Sequence, residues 1–306
     1  VAGYSCSARN EILQLLPPPT VQGKESQLLC PNRDFKVECG GFSNRPIYEL
    51  KHVPGTRYSP GGSMGIYGVS MGIYGVCGIY GNGPMGSWAK MATDAMRPTW
   101  VLHGCGVSSA QITELETHTP SSSPLELSSL SFLDPNTALL CCASGQLCMA
   151  DTRQCIALQP AAIPAAQPGQ RWHMAAACTA PSTHYIACIS NTGQLVLLDA
   201  RNASHCLAAA KCRVATCSSE FLSVSWAPAL QGCVAVSGFD GTVCIYDTCS
   251  WDGRDAAPLF VHRGHALRLQ PLVTAHTWHP HKARTVLSAA SNGALHVWEW
   301  VQPHCS

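Results

Sequence analysis

Apolar and polar residues alternate in short bursts that read as strands. In Phe221-Leu-Ser-Val-Ser-Trp226, Leu222, Val224 and Trp226 fall on one face and Ser223 and Ser225 on the other, as in a half-buried strand. Gln231-Gly232 and Asp240-Gly241 are turn pairs, and between them lies a second apolar run, Cys233 to Gly238. Thr242 to Asp247 reads as a third strand, ending on an aromatic residue followed by an acid.

This unit recurs. Trp226, Pro228, Asp240, Gly241, Tyr246 and Asp247 correspond to Trp278, Pro280, Asn292, Gly293, Trp298 and Glu299, each 52 positions later. The shorter Gly-x5-acid unit reaches back to Gly193…Asp199 and Gly145…Asp151, so the glycines step by 48, 48 and 52 residues. Strand, turn, strand, turn, strand and an outer strand make one propeller blade, and WD repeats run to about 40–45 residues. The clear blades span about 125–151, 183–199, 221–247 and 273–299.

Weaker copies occupy the first half. Ile47 to Pro54 reads as a first strand, with His52-x-Pro54 in place of Trp-x-Pro. Trp100 to Glu116 reads as the end of another blade, and Val1 to Leu16 as the last two strands of the first. The expected fold is all-β: a seven-bladed WD-repeat propeller formed by residues 1–306 as one domain, its first blade incomplete and its second disrupted. Val1-Ala-Gly-Tyr4 reads as a strand entered mid-element, which points to a missing N-terminal segment.

Residues 59–90 break the pattern. Ser63-Met-Gly-Ile-Tyr-Gly-Val69 is repeated without change at Ser70 to Val76, and Gly-Ile-Tyr-Gly returns at 78–81. A perfect tandem copy in place of blade strands reads as translated intronic sequence from a faulty gene model, expected to lack regular, well-packed structure. The stretch includes Gly81-Asn-Gly83-Pro-Met-Gly86, a literal G-x-G-x-x-G. Pro84 interrupts it and no amphipathic helix follows, so it is not expected to bind a dinucleotide.

Composition narrows the function. Charged residues are 12% and the formal net charge is +1, so no overall field draws the chain onto nucleic acid or an anionic membrane. No run of 18 apolar residues is present to span a membrane. The 18 cysteines include Cys141, Cys142, Cys188, Cys233 and Cys244 inside apolar strand-like runs, and none has C-x-x-C spacing. Buried free thiols are expected, and with them an intracellular setting, in which the sequon Asn202-Ala203-Ser204 has no role.

Candidate chemistry dissolves into the repeat. His276, His279 and His281, with His262, His265 and His296 nearby in sequence, have zinc-like spacings but lack matching acidic or cysteine ligands. Each falls on a blade position, so no metal site is expected. Asp199, Asp240 and Asp247 recur one per blade and are expected to serve turns rather than acid–base chemistry. No Gly-x-Ser-x-Gly elbow or phosphate loop is present, so the expectation is no enzyme, no cofactor and a platform for binding other proteins. The expected structural residues are Gly145, Asp151, Gly193, Asp199, Trp226, Asp240, Gly241, Asp247, His265, Trp278, Gly293 and Trp298.

Several stretches resemble the WD repeat-containing protein 73 family. They include Asn10-Glu-Ile-Leu13, Arg33-Asp-Phe-Lys-Val37, Leu50-Lys-His-Val-Pro54, Cys141-Cys-Ala-Ser-Gly145, Ser237 to Val243, His262-Arg-Gly-His265 and His276-Thr-Trp-His-Pro280. They run in order along nearly the whole chain, while residues 58 to about 99 match nothing in the family. WD blades commonly hold the Gly-His histidine, here His265, in a buried network with a turn aspartate and a strand hydroxyl. The resemblance implies a cytoplasmic, non-enzymatic factor assisting assembly of the RNA-cleaving module of the Integrator complex, through its subunits 9 and 11. It also implies association with microtubules and mitotic spindle poles. A ubiquitin-ligase substrate adaptor is a further alternative, disfavoured because Arg171, Arg201 and Arg213 are scattered.

Overall fold

The computed structural model describes residues 10–16, 35–43, 47–52, 64–66, 69–72, 76–80, 90–93, 100–104, 111–114, 127–151, 157–159, 169–180, 183–214, 220–267 and 271–301. The chain divides into two compact units, residues 1–138 with 152–154, and residues 139–151 with 155–306.

In the first unit, β1 (Asn10–Leu16) pairs antiparallel with β2 (Lys36–Ser43). A second sheet holds β3 (Ile47–His52), β4 (Met64–Ile66), β5 (Val69–Gly72) and β6 (Val76–Tyr80) in the order β3-β6-β5-β4. Residues 59–90 were expected to lack regular, well-packed structure; within them Met64–Ile66, Val69–Gly72 and Val76–Tyr80 form strands, and apart from Lys90 the others lie outside the described residues. The first copy pairs with the second, Met64 opposite Met71, and Met71 of the second lies opposite Cys77 just beyond it. Each copy carries Met, Ile, Tyr and Val between its glycines, and such side chains favour extended backbone. A third sheet orders β7 (Lys90–Thr93), β8 (Trp100–Gly104) and β9 (Gln111–Glu114) in sequence. Val1 to Arg9 and Gly81 to Gly86 lie outside the described residues.

Four sheets follow. The first is β10 (Leu127–Asp134), β11 (Thr137–Cys142), β12 (Leu147–Asp151) and β13 (Ala157–Gln159). The next is β14 (Trp172–Ala180), β15 (Thr183–Ser190), β16 (Gln194–Asp199) and β17 (Asn202–Lys211). Then come β18 (Ser223–Trp226), β19 (Cys233–Ser237), β20 (Val243–Asp247) and β21 (Phe260–His262). The last holds β22 (Val273–Trp278), β23 (Thr285–Ala290) and β24 (Leu295–Glu299). Among the described residues there are seven sheets, and each of the last four keeps its strands in chain order.

The repeat is written into the hydrogen-bond register. Tyr185 faces Asp199, Cys233 faces Asp247 and Thr285 faces Glu299, so in these three sheets the repeat acid meets the first or third residue of the neighbouring strand in the same phase. Register decides which face each side chain enters, so conserving it from sheet to sheet keeps the same face buried. The tight turns repeat as well. Gly145, Gly193 and Gly293 have φ of 89°, 85° and 82°, and each donates its N–H to the carbonyl three residues earlier. Only glycine adopts that backbone without strain.

Gly241 departs from this pattern. In the longer Ser237-Gly-Phe-Asp-Gly-Thr242 turn, the left-handed residue is Gly238, with φ 103°. Gly241 is small for another reason: a Cβ there would lie 2.8 Å from the Pro271 carbonyl oxygen.

The core of the second unit lies between successive sheets. Every residue of β19 is buried. Val234 and Val236 pack with Ile189, Leu195, Val224, Tyr246 and Trp251, while Cys233 and Ala235 pack with Val273, Trp278, Val286 and Trp298. A strand covered on both faces reads as a continuous apolar run, which is why 233–237 shows no alternation. Beyond the 3-10 turn Thr248–Ser250, the chain doubles back along β17. Gly253 N–H donates to the Ala209 carbonyl and Lys211 N–H to the Arg254 carbonyl, and Ala256 N–H donates to the Lys211 carbonyl.

Candidate functional site

Two repeat tryptophans each tie their sheet to the one before it. Trp226, at the end of β18, donates its indole N–H to the Ala175 carbonyl on β14 at 3.0 Å. Trp278, at the end of β22, makes the matching bond to the Ser225 carbonyl on β18 at 3.3 Å. Trp278 and Trp298 are buried and Trp226 is half-buried.

His276 on β22 spans the same junction. Its Nε2 meets Ser225 Oγ on β18 and its Nδ1 meets Ser237 Oγ on β19, both at 2.7 Å. Desolvation of the ring lowers its pKa to about 4, against a smaller opposing effect from the Ala235 backbone. The neutral ring therefore donates at one nitrogen and accepts at the other.

The richest cluster lies in the last two sheets. His265 is buried, and its Nε2 is 2.8 Å from Ser288 Oγ, which also accepts the Trp298 indole N–H at 3.0 Å. This supplies the strand hydroxyl of the WD network, but its turn acid is replaced. The matching position is Asn292, exposed, whose Oδ1 accepts the Ala294 N–H within its own turn. His265 Nδ1 is consequently buried with no hydrogen-bond partner.

Two more imidazoles stand against it. His262 Nε2 and His296 Nδ1 are 3.1 Å apart. His296 stacks flat on His265, ring centroids 3.9 Å apart and planes 9° from parallel, while His262 stacks on Trp298 at 4.5 Å and 4°. Ligand-capable nitrogens of His262, His265 and His296 all lie within 4.8 Å of one another. Burial first, and then the neighbouring imidazoles, hold the pKa of His262 and of His265 down to about 4. Burial lowers that of His296 as well.

The histidines whose spacing is zinc-like in the sequence are not the ones that converge. His276 is spent on two serines, while His279 Nδ1 accepts the backbone N–H groups of His281 and Lys282. The convergent set draws on β21, the Gly264–Leu267 turn and β24. Its only signal in the sequence is His262-x-x-His265, and packing of one sheet against the next is needed to add His296.

The remaining repeat residues serve local structure. Asp240 Oδ1 accepts from Thr242 N and Oγ1, and Asp247 Oδ1 accepts from Cys249 N. Asp199 forks onto Arg201, whose guanidinium holds the carboxyl below its usual range. Asp151 ends β12, half-buried. Burial raises the thiols of Cys188, Cys233 and Cys244, and pushes that of Cys212 up to about 12, which suppresses the reactive thiolate.

No protein-family model matches the chain. It is 41% identical over 333 residues to the Mus musculus protein named Integrator complex assembly factor WDR73, covering 100% of this chain and 90% of that one. The Homo sapiens protein of the same name is 41% identical over 334 residues, covering 98% and 88%; the Danio rerio protein is 35% identical over 329, covering 98% and 87%. Among solved structures, Chaetomium thermophilum Raptor is similar at a TM-score of 0.53 with 12% identity, over 74% of this chain and 20% of that one. That likeness concerns the fold alone and agrees with an all-β chain of the propeller class. With shared sequence along almost its full length, the chain belongs to the WDR73 family.

Proposed function

We propose that the chain is a non-enzymatic assembly factor for the Integrator complex, acting through surfaces rather than a reaction centre. The observation that carries this reading is the 41% identity, over its whole length, to a protein named for that role. The site geometry supports it. Asp199, Asp240 and Asp247 are each engaged in a local bond on a separate strand end or turn, so they form no shared acid–base pair. Sheets packed on one another in the second unit, in a chain with few charges, suit a platform whose loops carry recognition.

The finer reading places its partners at Integrator subunits 9 and 11 and its action in the cytoplasm, before the complex reaches the nucleus. The test is affinity purification of the tagged full chain from cytoplasmic extract, read by mass spectrometry. Recovery of both subunits is expected. Strong, salt-sensitive co-sedimentation with polymerised tubulin, with neither subunit recovered, would replace this reading with the microtubule one.

A further inference from the structure

We propose that His262, His265 and His296 form a three-imidazole binding site for a divalent transition-metal ion of the zinc class. Three independent features of the cluster converge on this.

The first is spacing. Zinc–nitrogen bonds are about 2.0–2.1 Å, so two imidazoles on one tetrahedral ion place their nitrogens about 3.3 Å apart. His262 Nε2 and His296 Nδ1 are 3.1 Å apart, joined by a hydrogen bond whose shared proton the ion would displace, and the third ligand atom lies within the same 4.8 Å set.

The second is an unspent lone pair. Ser288 Oγ already accepts from Trp298, whose indole N–H can only donate. A hydroxyl oxygen accepts two bonds, so His265 Nε2–H can donate to it as well. His265 Nδ1 is then a bare lone pair, buried without a donor. Should the proton sit on Nδ1 instead, a buried N–H lacks an acceptor. A metal at Nδ1 satisfies the ring completely and leaves Nε2–H bonded to Ser288, the outer hydrogen bond that metal-ligating histidines regularly make.

The third is space. A Cβ on Gly264 would lie 2.7 Å from both His262 Nε2 and His296 Nδ1. The missing side chain keeps the approach between those two nitrogens open. The depressed pKa values add support, since only neutral imidazole ligates a metal. Because the His265 and His296 rings lie in near-parallel planes 3.9 Å apart by centroid, loading turns one ring so that both lone pairs meet a single ion. Three protein ligands leave a fourth position to solvent.

The chain holds 18 cysteines and 13 histidines, so the experiment must distinguish nitrogen from sulfur. Purified full chain, stripped with chelator under reducing conditions, is titrated with Co2+ and then Zn2+. One equivalent of Co2+ with visible d–d bands and no sulfur charge-transfer band is expected, displaced by Zn2+. His262→Ala and His296→Phe each abolish it, while His279→Ala with His281→Ala leaves it intact. Zinc raises the thermal midpoint of the parent chain and not of the two site variants. X-ray absorption of the zinc-loaded parent chain needs no variant and shows imidazole scattering. No stoichiometric binding, sulfur in the first coordination shell, or full binding by folded His262→Ala and His296→Phe would overturn the site.

Discussion

Trp278 Nε1 donates to the Ser225 carbonyl of the preceding sheet, as Trp226 Nε1 does to Ala175 one sheet earlier. The indoles form a ladder across the sheets, and each rung also fills the packing layer between them. Trp278→Phe keeps most of the apolar area and loses the donor, so it is expected to cost about 1–2 kcal/mol. Trp278→Ala removes both and is expected to cost about 3–5 kcal/mol. Urea midpoints of the two variants, compared at constant slope, check the order.

Ser288→Ala removes one oxygen that serves two buried partners, His265 Nε2 and Trp298 Nε1. Leaving both without a bond is expected to cost about 2–4 kcal/mol. Ser250→Ala, whose exposed hydroxyl bonds only the Asp247 carbonyl, is expected to stay within about 1 kcal/mol of the parent. Thermal unfolding of the pair measures the difference, and equal effects would deny the buried network its role.

Stability is expected to fall with acidification between about pH 6.5 and pH 4. His262, His265 and His276 titrate near 4 when folded, below the ordinary imidazole value of about 6.5. In that window the unfolded chain binds more protons than the folded one, so lowering the pH favours unfolding; above it the stabilisation is fully present. His276→Gln is expected to flatten part of the slope. Urea midpoints at several pH values test this, and an unchanged slope in the variant would place the titration elsewhere.

The two kinds of glycine predict different costs. Gly293→Ala meets open space and carries only the strain of its φ of 82°, about 1 kcal/mol. Gly238→Ala must also drive a Cβ into the Phe221 carbonyl, so the β18–β19 hairpin has to open. Gly238→Ala is expected to be far the less stable of the two by denaturation.

Blades were legible because their signals are local: a turn glycine, an alternating run and an acid at fixed spacing specify register, and Tyr185/Asp199, Cys233/Asp247 and Thr285/Glu299 share it. Gly241 shows where spacing misleads. It matches Gly293 by position, yet the longer turn hands the left-handed conformation to Gly238. The histidine cluster was illegible for another reason. His262 and His296 stand 34 residues apart in different sheets, and proximity of that kind comes from packing. The pairing of the Met-Gly-Ile-Tyr copies is hidden in the sequence because their glycine density masks the β-favouring residues between.

The segment that doubles back along β17 governs what the rim of that sheet can do. A bare outer edge is a template onto which another chain can add a strand, the first step of edge-to-edge aggregation. On β17, Gly253 to Ala256 takes up the backbone groups of Ala209 and Lys211 and so covers that end of the edge. What remains is Asn202 to Leu207, rich in exposed polar side chains and poorly suited to templating. A shortened 252–257 loop would strip that cover, turning a terminated sheet into one that can be extended.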